Sequence, residues 1–182
     1  MTSVPGHNEV SFPHCPSDIA VKMVTLSDRH RLLTAQIDIP ATVERVWQTL
    51  TDYEQLADFI PNLAESRRIE HPAGGIRLEQ IGSQSLLKFK FCARVVLDMV
   101  EQFPHRLLFE MVEGDFKTFK GAWELEPSPK TADGVGVSAG TQLTYSLTVC
   151  PSRLIPVRVI EQRLGNNLCD NLKAIRQHSI AL

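Results

Sequence analysis

A chain of 182 residues with 43% hydrophobic and 22% charged side chains has the composition of an ordinary globular protein, long enough to bury one sizeable core. Its 19 basic and 21 acidic residues leave a formal charge of −2, which excludes the strongly basic field of non-specific nucleic-acid binding, so no nucleic-acid partner is expected. No stretch approaches the ~18 apolar residues of a membrane-spanning helix.

Residues 1–18 hold Pro5, Pro13 and Pro16 with Gly6, Asn8, Ser3, Ser11 and Ser17. Too few periodic apolar positions remain to offset the entropy of ordering them, so a flexible tail is expected ahead of one domain at 19–182. The tail shows neither the basic start nor the apolar run of a secretory leader. His14 and Cys15 adjoin there, but two neighbours cannot supply the three or four converging ligands of zinc, and no metal or cofactor is expected. The four cysteines, Cys15, Cys92, Cys150 and Cys169, are widely spread without a CxxC. They signal neither a zinc ribbon nor a disulfide framework, and the reading is a reduced, cytoplasmic protein.

From Ala20 to Ile39 the apolar residues Val21, Met23, Leu33, Ala35, Ile37 and Ile39 share one parity, broken by polar residues at 28–31, which predicts a first strand, bent near its middle. Pro40 ends it. Val43, Val46, Trp47 and Leu50 then recur at helical spacing behind Thr42 as cap, and Asp52 with Gln55 resembles a capping box for a second short helix ended by Pro61.

A period of two follows: Ile76, Leu78 and Gln80; then Leu87, Phe89, Phe91, Ala93, Val95, Leu97 and Met99; then Leu107, Phe109 and Met111; Phe119, Gly121, Trp123 and Leu125; and Leu143, Tyr145, Leu147 and Val149. These are half-buried antiparallel strands. The run from Leu87 to Met99 would extend about 40 Å if straight, long enough to predict strong curvature. Between the last two strands, 126–140 is rich in Pro and Gly and reads as an exposed hairpin loop. Gly134, Gly136 and Ala139 match a dinucleotide fingerprint there, but that motif needs a helix next, whereas 141–149 alternates like a strand.

At the carboxyl end Val157, Ile160, Leu164, Leu168, Leu172 and Ile175 advance by three or four residues, the stripe of a long amphipathic helix, with Ser152 as candidate cap. The fold class is α+β: a curved antiparallel sheet of six or seven strands around a long C-terminal helix, with two short helices after strand one. Only that helix can cover the sheet's concave face. A helix lying in a wider half-barrel leaves a cavity lined by the inward parity. Phe89, Phe91, Phe109, Met111, Phe119, Trp123 and Tyr145 are its candidate walls. Leu164 and Leu168 face them from the helix, and Gly121 stands where a larger residue would fill space. Arg67, Gln80 and Tyr145 are the inward polar candidates for a ligand's head, although the facing of the strand through Arg67 is ambiguous.

The string Val46-Trp47-Gln48-Thr49-Leu50-Thr51-Asp52-Tyr53-Glu54, followed by Leu56, Phe59, Ile60 and Pro61, resembles the polyketide cyclase/dehydrase branch of the START-like (SRPBCC) superfamily. That string is most similar to the coenzyme Q-binding members, and Phe109-Glu110-Met111-Val112-Glu113-Gly114-Asp115-Phe116, with Gly121 and Trp123, is similar to the same branch. The resemblance spans about residues 33–178. It implies a helix-grip fold with a hydrophobic tunnel under the last helix, used by relatives for isoprenoid quinones, sterols, lipids or polyketides.

No HExxH, GxSxG or P-loop pattern occurs, the six histidines read as surface residues, and Glu110, Glu113 and Asp115 read as a solvated acidic turn. No catalytic residue is assigned. The expected function is non-catalytic binding or transport of a hydrophobic small molecule, an isoprenoid quinone or other lipid. The alternatives are a polyketide-type aromatase/cyclase or dehydratase and a ribosome-associated interaction protein of the same fold. Arg153, Arg158, Arg163, Lys173 and Arg176 on the last helix add the expectation of transient contact with an anionic membrane.

Overall fold

The computed structural model describes residues 15–86, 89–128, 140–153 and 156–182. In chain order the elements are β1 (Ile19–Thr25), β2 (Arg31–Ile39), α1 (Val43–Thr51), α2 (Leu56–Phe59), β3 (Leu63–Ile69), β4 (Ile76–Leu86), β5 (Phe89–Gln102), β6 (Arg106–Gly114), β7 (Phe116–Ser128), β8 (Gly140–Pro151) and α3 (Val157–Ala181). The strands form one antiparallel sheet in the order β1-β2-β8-β7-β6-β5-β4-β3, and α3 lies in its concave face.

The sheet has eight strands, not the six or seven expected, because the bent first strand is a hairpin. Leu26 N–H donates to the His30 carbonyl at 3.0 Å, which turns the chain over. Met23 then pairs with Leu33 and Val21 with Ala35. Partners across a hairpin share a face, so one apolar parity runs through both strands and imitates a single bent one.

Alternation does the rest. In β2 every second residue, Arg31, Leu33, Ala35, Ile37 and Ile39, is buried, and β8 buries Leu143, Tyr145, Leu147 and Val149 in the same way. Thr42 caps α1 by accepting from Arg45 N–H at 3.4 Å. The capping expectations for the other helices are not met. Gln55 leads α2 without a side-chain cap, and α3 starts behind Pro156, not Ser152, since proline's fixed φ suits the residue that opens a helix. Of the hairpin loop expected at 126–140, residues 129–139 with the rejected fingerprint lie outside the described residues, while 126–128 and Gly140 belong to strands: Ser128 pairs with Gly140 and 140–151 is a strand.

The grip on α3 is one-sided. Its nearest backbone neighbours are α1, α2, β1 and β2. Glu161 accepts from the buried Arg31 on β2 at 2.7 Å, Ser179 donates to Thr49 of α1 at 2.9 Å in a fully buried contact, and His178 stacks on Phe59 at 4.0 Å. His178 is therefore a packed residue, against the surface placement expected of it.

Cys15 and Cys169 are joined in a disulfide across 154 residues of sequence, with Cα atoms 5.6 Å apart. This corrects the reading of four unpaired cysteines; Cys92 and Cys150 remain free. Spacing could not reveal it, because the partners meet only when the chain ahead of β1 crosses α3. Arg176 binds Asp18 at 2.5 Å beside it, so the end of the expected tail, from Cys15 on, is docked on α3. Residues 1–14 lie outside the description.

Gly121 departs from its expected part as a gap for ligand. A Cβ built there would overlap the Ser146 carbonyl on β8 and crowd the Phe109 ring. The space is already occupied, because Gly121 sits opposite Phe109 and Leu147 and lets the Phe109 ring lie across the sheet. Gly121→Leu is therefore expected to destabilise the fold by about 1–3 kcal/mol through overpacking, read as a lower denaturation midpoint in urea. An unchanged midpoint contradicts this packing.

Candidate functional site

Between α3 and the sheet lies a partly enclosed cavity of about 270 Å³, close to the lower limit for small-molecule sites. Its floor is the inward parity of β4, β5 and β6, with Leu78, Val95, Leu97, Met99 and Leu107. One wall is aromatic. Trp123 lies 4.2 Å from Tyr145, Tyr145 stacks on Phe109 at 5.8 Å, Phe109 meets Phe119 at 5.9 Å, and Phe119 meets Phe116 at 5.4 Å. This band follows from register. Trp123 pairs with both Leu107 and Tyr145, and Tyr145 with the small Ala35, so large rings on neighbouring strands turn the same way and touch. Leu164 and Leu168 of α3 form the roof.

Of the residues expected at the site, Phe109, Phe119, Trp123, Tyr145, Leu164, Leu168 and Gln80 line the cavity. The side chains of Phe89 and Phe91 lie outside the described residues. Met111 is half-buried against the core outside the cavity lining.

Arg67 points the other way: its side chain is 62% exposed and bound to Glu79 on the outer face. The cause is a bulge in β3 between Leu63 and Glu65. One extra residue flips every later side chain to the opposite face. Leu63 lines the cavity, while Ser66 faces Gln80 and accepts from its amide at 3.2 Å. Out on the convex face Glu79 takes Nε–H bonds from Arg67 and Arg94, both at 2.6 Å, and Asp98 holds Arg77 by two bonds of 2.6 and 2.9 Å. These hydrogen bonds hold both carboxyls below their ordinary pKa range. Glu113 on Arg94, Glu110 on Lys120 and Asp115 on the Arg94 backbone belong to the same outer layer.

Two tyrosines reach the cavity. Tyr53 of the α1–α2 turn donates to Glu101 at 2.6 Å, with Arg68 5.9 Å from its ring centre. Tyr145 has no hydrogen-bond partner among the described residues, and its hydroxyl is a free donor against the apolar space. Parity misses Tyr53, Asn62, Arg163, Asn167 and Asn171, which also line the cavity. They belong to turns or to the flank of α3, where the apolar stripe draws attention to its centre. With its amide turned to satisfy its neighbours, Asn171 donates to the carbonyls of Asn167 at 3.1 Å and Pro61 at 2.9 Å, the latter bridging α3 to the α2–β3 turn. Among the described residues, no carboxylate, imidazole or thiol lines the space.

The sequence profile described as "Polyketide cyclase / dehydrase and lipid transport" matches residues 39–176. No curated protein matches the chain significantly in sequence. Among solved structures, the STAR-related lipid transfer protein of Xanthomonas axonopodis superposes with a TM-score of 0.71 at 16% identity, covering 96% of this chain and 99% of that one. The ZhuI aromatase/cyclase of Streptomyces sp. R1128 gives 0.64 at 14% identity, with 83% and 94% covered. Human STARD10 gives 0.68 at 10% identity, with 98% and 74% covered. At these identities the likeness is one of fold, in which a helix grips a curved sheet.

Burial raises the pKa of both tyrosines, and at Tyr53 the Glu101 carboxylate adds to it. The folded protein thus holds both phenolic protons more tightly than the unfolded chain. Their contribution to stability is intact below the ordinary phenol value of ~10 and is lost as pH rises past it. Tyrosinate absorbance is expected to appear only together with unfolding; a tyrosine titrating at its ordinary pH in the folded protein contradicts this.

Proposed function

The chain belongs to the polyketide cyclase/dehydrase and lipid transport family, and from that footing we propose that it binds and carries a hydrophobic small molecule, an isoprenoid quinone or another lipid, without transforming it. The observation that carries this reading is the cavity, walled by five touching aromatic rings and roofed by leucines of one helix. Such a wall retains a ligand by burial, at roughly 25 cal/mol for each Å² of apolar surface removed from water. The lining also holds polar groups, among them Gln80, Tyr145, Arg163 and Asn167, which can orient a ligand.

Acid–base catalysis needs a group of tuned pKa within reach of substrate, and the described lining supplies amides, two phenols and a guanidinium. The cyclase reading keeps one specific support, the free Tyr145 hydroxyl, which could polarise a carbonyl. Carriage is favoured because, among the described residues, no carboxylate, imidazole or thiol lines the space beside it.

Transient membrane contact belongs to the carrier reading. Of the basic residues of and just before α3, Arg153 and Arg158 are exposed, Lys173 and Arg176 are paired with Asp170 and Asp18, and Arg163 turns to the cavity. No described helix is long and apolar enough to cross a membrane.

Extraction of the purified protein with organic solvent, followed by mass spectrometry, is expected to release one hydrophobic compound in near-stoichiometric amount, unchanged after prolonged incubation with the protein. An empty extract, together with no uptake of added quinones or lipids, refutes carriage; conversion of the compound moves the assignment to the cyclase reading.

A further inference from the structure

α3 carries a polar row along one flank of the cavity. Arg163, Asn167 and Asn171 are spaced i, i+4, i+8, so they stand one above another on one face, each a turn from the next. All three line the cavity, together with Asn62 and Gly82 across the gap. Asn171 is spent on Pro61 and Asn167 carbonyls. The side chains of Arg163 and Asn167 have no hydrogen-bond or ion-pair partner among the described residues.

Half of the twelve arginines of the chain are paired. Arg31, Arg67, Arg77, Arg94, Arg106 and Arg176 each meet a carboxylate. The acidic residues nearest to Arg163 along α3 are taken, Glu161 by Arg31 and Asp170 by Lys173. Glu161 also points to a different face, since residues two apart on a helix do not meet. Arg163 is half-buried, and a guanidinium stays charged at every accessible pH. Arg163 thus lines the space with no carboxylate among the described lining residues, and an anion entering there gains a charge-assisted contact.

We propose that Arg163, with the Asn167 amide one turn away, is the anion-recognising end of the cavity. The ligand is then an amphipathic acid: its apolar body fills the space beneath α3, and its carboxylate or phosphate accepts from the guanidinium. The proposal rests on the ligand-binding reading above and narrows it. A neutral isoprenoid quinone leaves Arg163 uncompensated, whereas an acidic lipid or an acidic polyketide-like chain satisfies guanidinium and wall together. The remaining polar groups fit this division, because Tyr145 and Gln80 are neutral and contact an uncharged part of the guest.

The test uses the full chain and lauric acid, dodecyl phosphate and methyl laurate, each below its micelle concentration, with binding followed by calorimetry and by Trp123 fluorescence. Laurate or dodecyl phosphate is expected to bind at least about tenfold more tightly than the ester, the difference expected of a charge-assisted contact. A preference for laurate assigns the group to a carboxylate and a preference for dodecyl phosphate to a phosphate. Arg163→Gln should abolish the advantage of the acids over the ester without lowering the melting temperature, and Arg163→Lys should keep part of it. Equal affinity of acids and ester, or an acid preference that survives Arg163→Gln, overturns the proposal and leaves the binding reading intact. Failure of all three to bind overturns the proposal, and the binding reading falls with it only if the solvent extract of the purified protein is empty as well.

Discussion

One geometric constraint governs this molecule: a single helix is narrower than the sheet that curves around it. The sheet has eight strands, and each offers its inner face a row of large side chains. The helix answers with one stripe. At its C-terminal half the match is complete, and Leu172, Ile175 and Ser179 are fully buried against α1 and the neighbouring strands. Toward its N-terminal half the sheet is wider than the helix can reach, Leu164 is only half-buried, and the interior stays open.

What keeps the helix from closing the gap is the distribution of its fastenings. The Arg31–Glu161 pair, the Cys15–Cys169 disulfide and the Arg176–Asp18 pair hold it on the side of β1 and β2, and Thr49–Ser179 and Phe59–His178 hold its end. Toward β3–β5 the one described link is the Asn171 amide on the Pro61 carbonyl. A helix fastened on one side leaves its other flank free, and there the row of Arg163, Asn167 and Asn171 lies. Charge is sorted by the same geometry. Arginines on the convex face find carboxylates on neighbouring strands, while the arginine on the free flank of α3 faces a space without one.

Much of this was legible in the sequence, for reasons that can be named. Strict alternation fixed the inner faces of β4 to β8, and helical spacing fixed α1 and α3, since both periods are imposed by backbone geometry alone. Phe109, Phe119, Trp123, Tyr145, Gln80, Leu164 and Leu168 follow from those periods. The failures lie where the period is broken or where two distant segments meet. A bulge turned Arg67 outward, a hairpin hid inside one continuous parity, and Gly121 proved to be a contact between backbones and not an empty place. The disulfide joins segments 154 residues apart, and no local pattern encodes such an encounter. Arg163 sat in plain view among the basic residues of α3, yet only the position of the helix shows which of them turns inward.

Side chains leave the space beneath α3 unfilled, and titration with the uncharged apolar dye N-phenyl-1-naphthylamine reports on that void. One saturable site with energy transfer from tryptophan is expected, lost in Leu164→Trp, whose larger side chain occupies the cavity while the fold persists. A titration without saturable enhancement in the unaltered protein, or one that Leu164→Trp leaves unchanged, contradicts it.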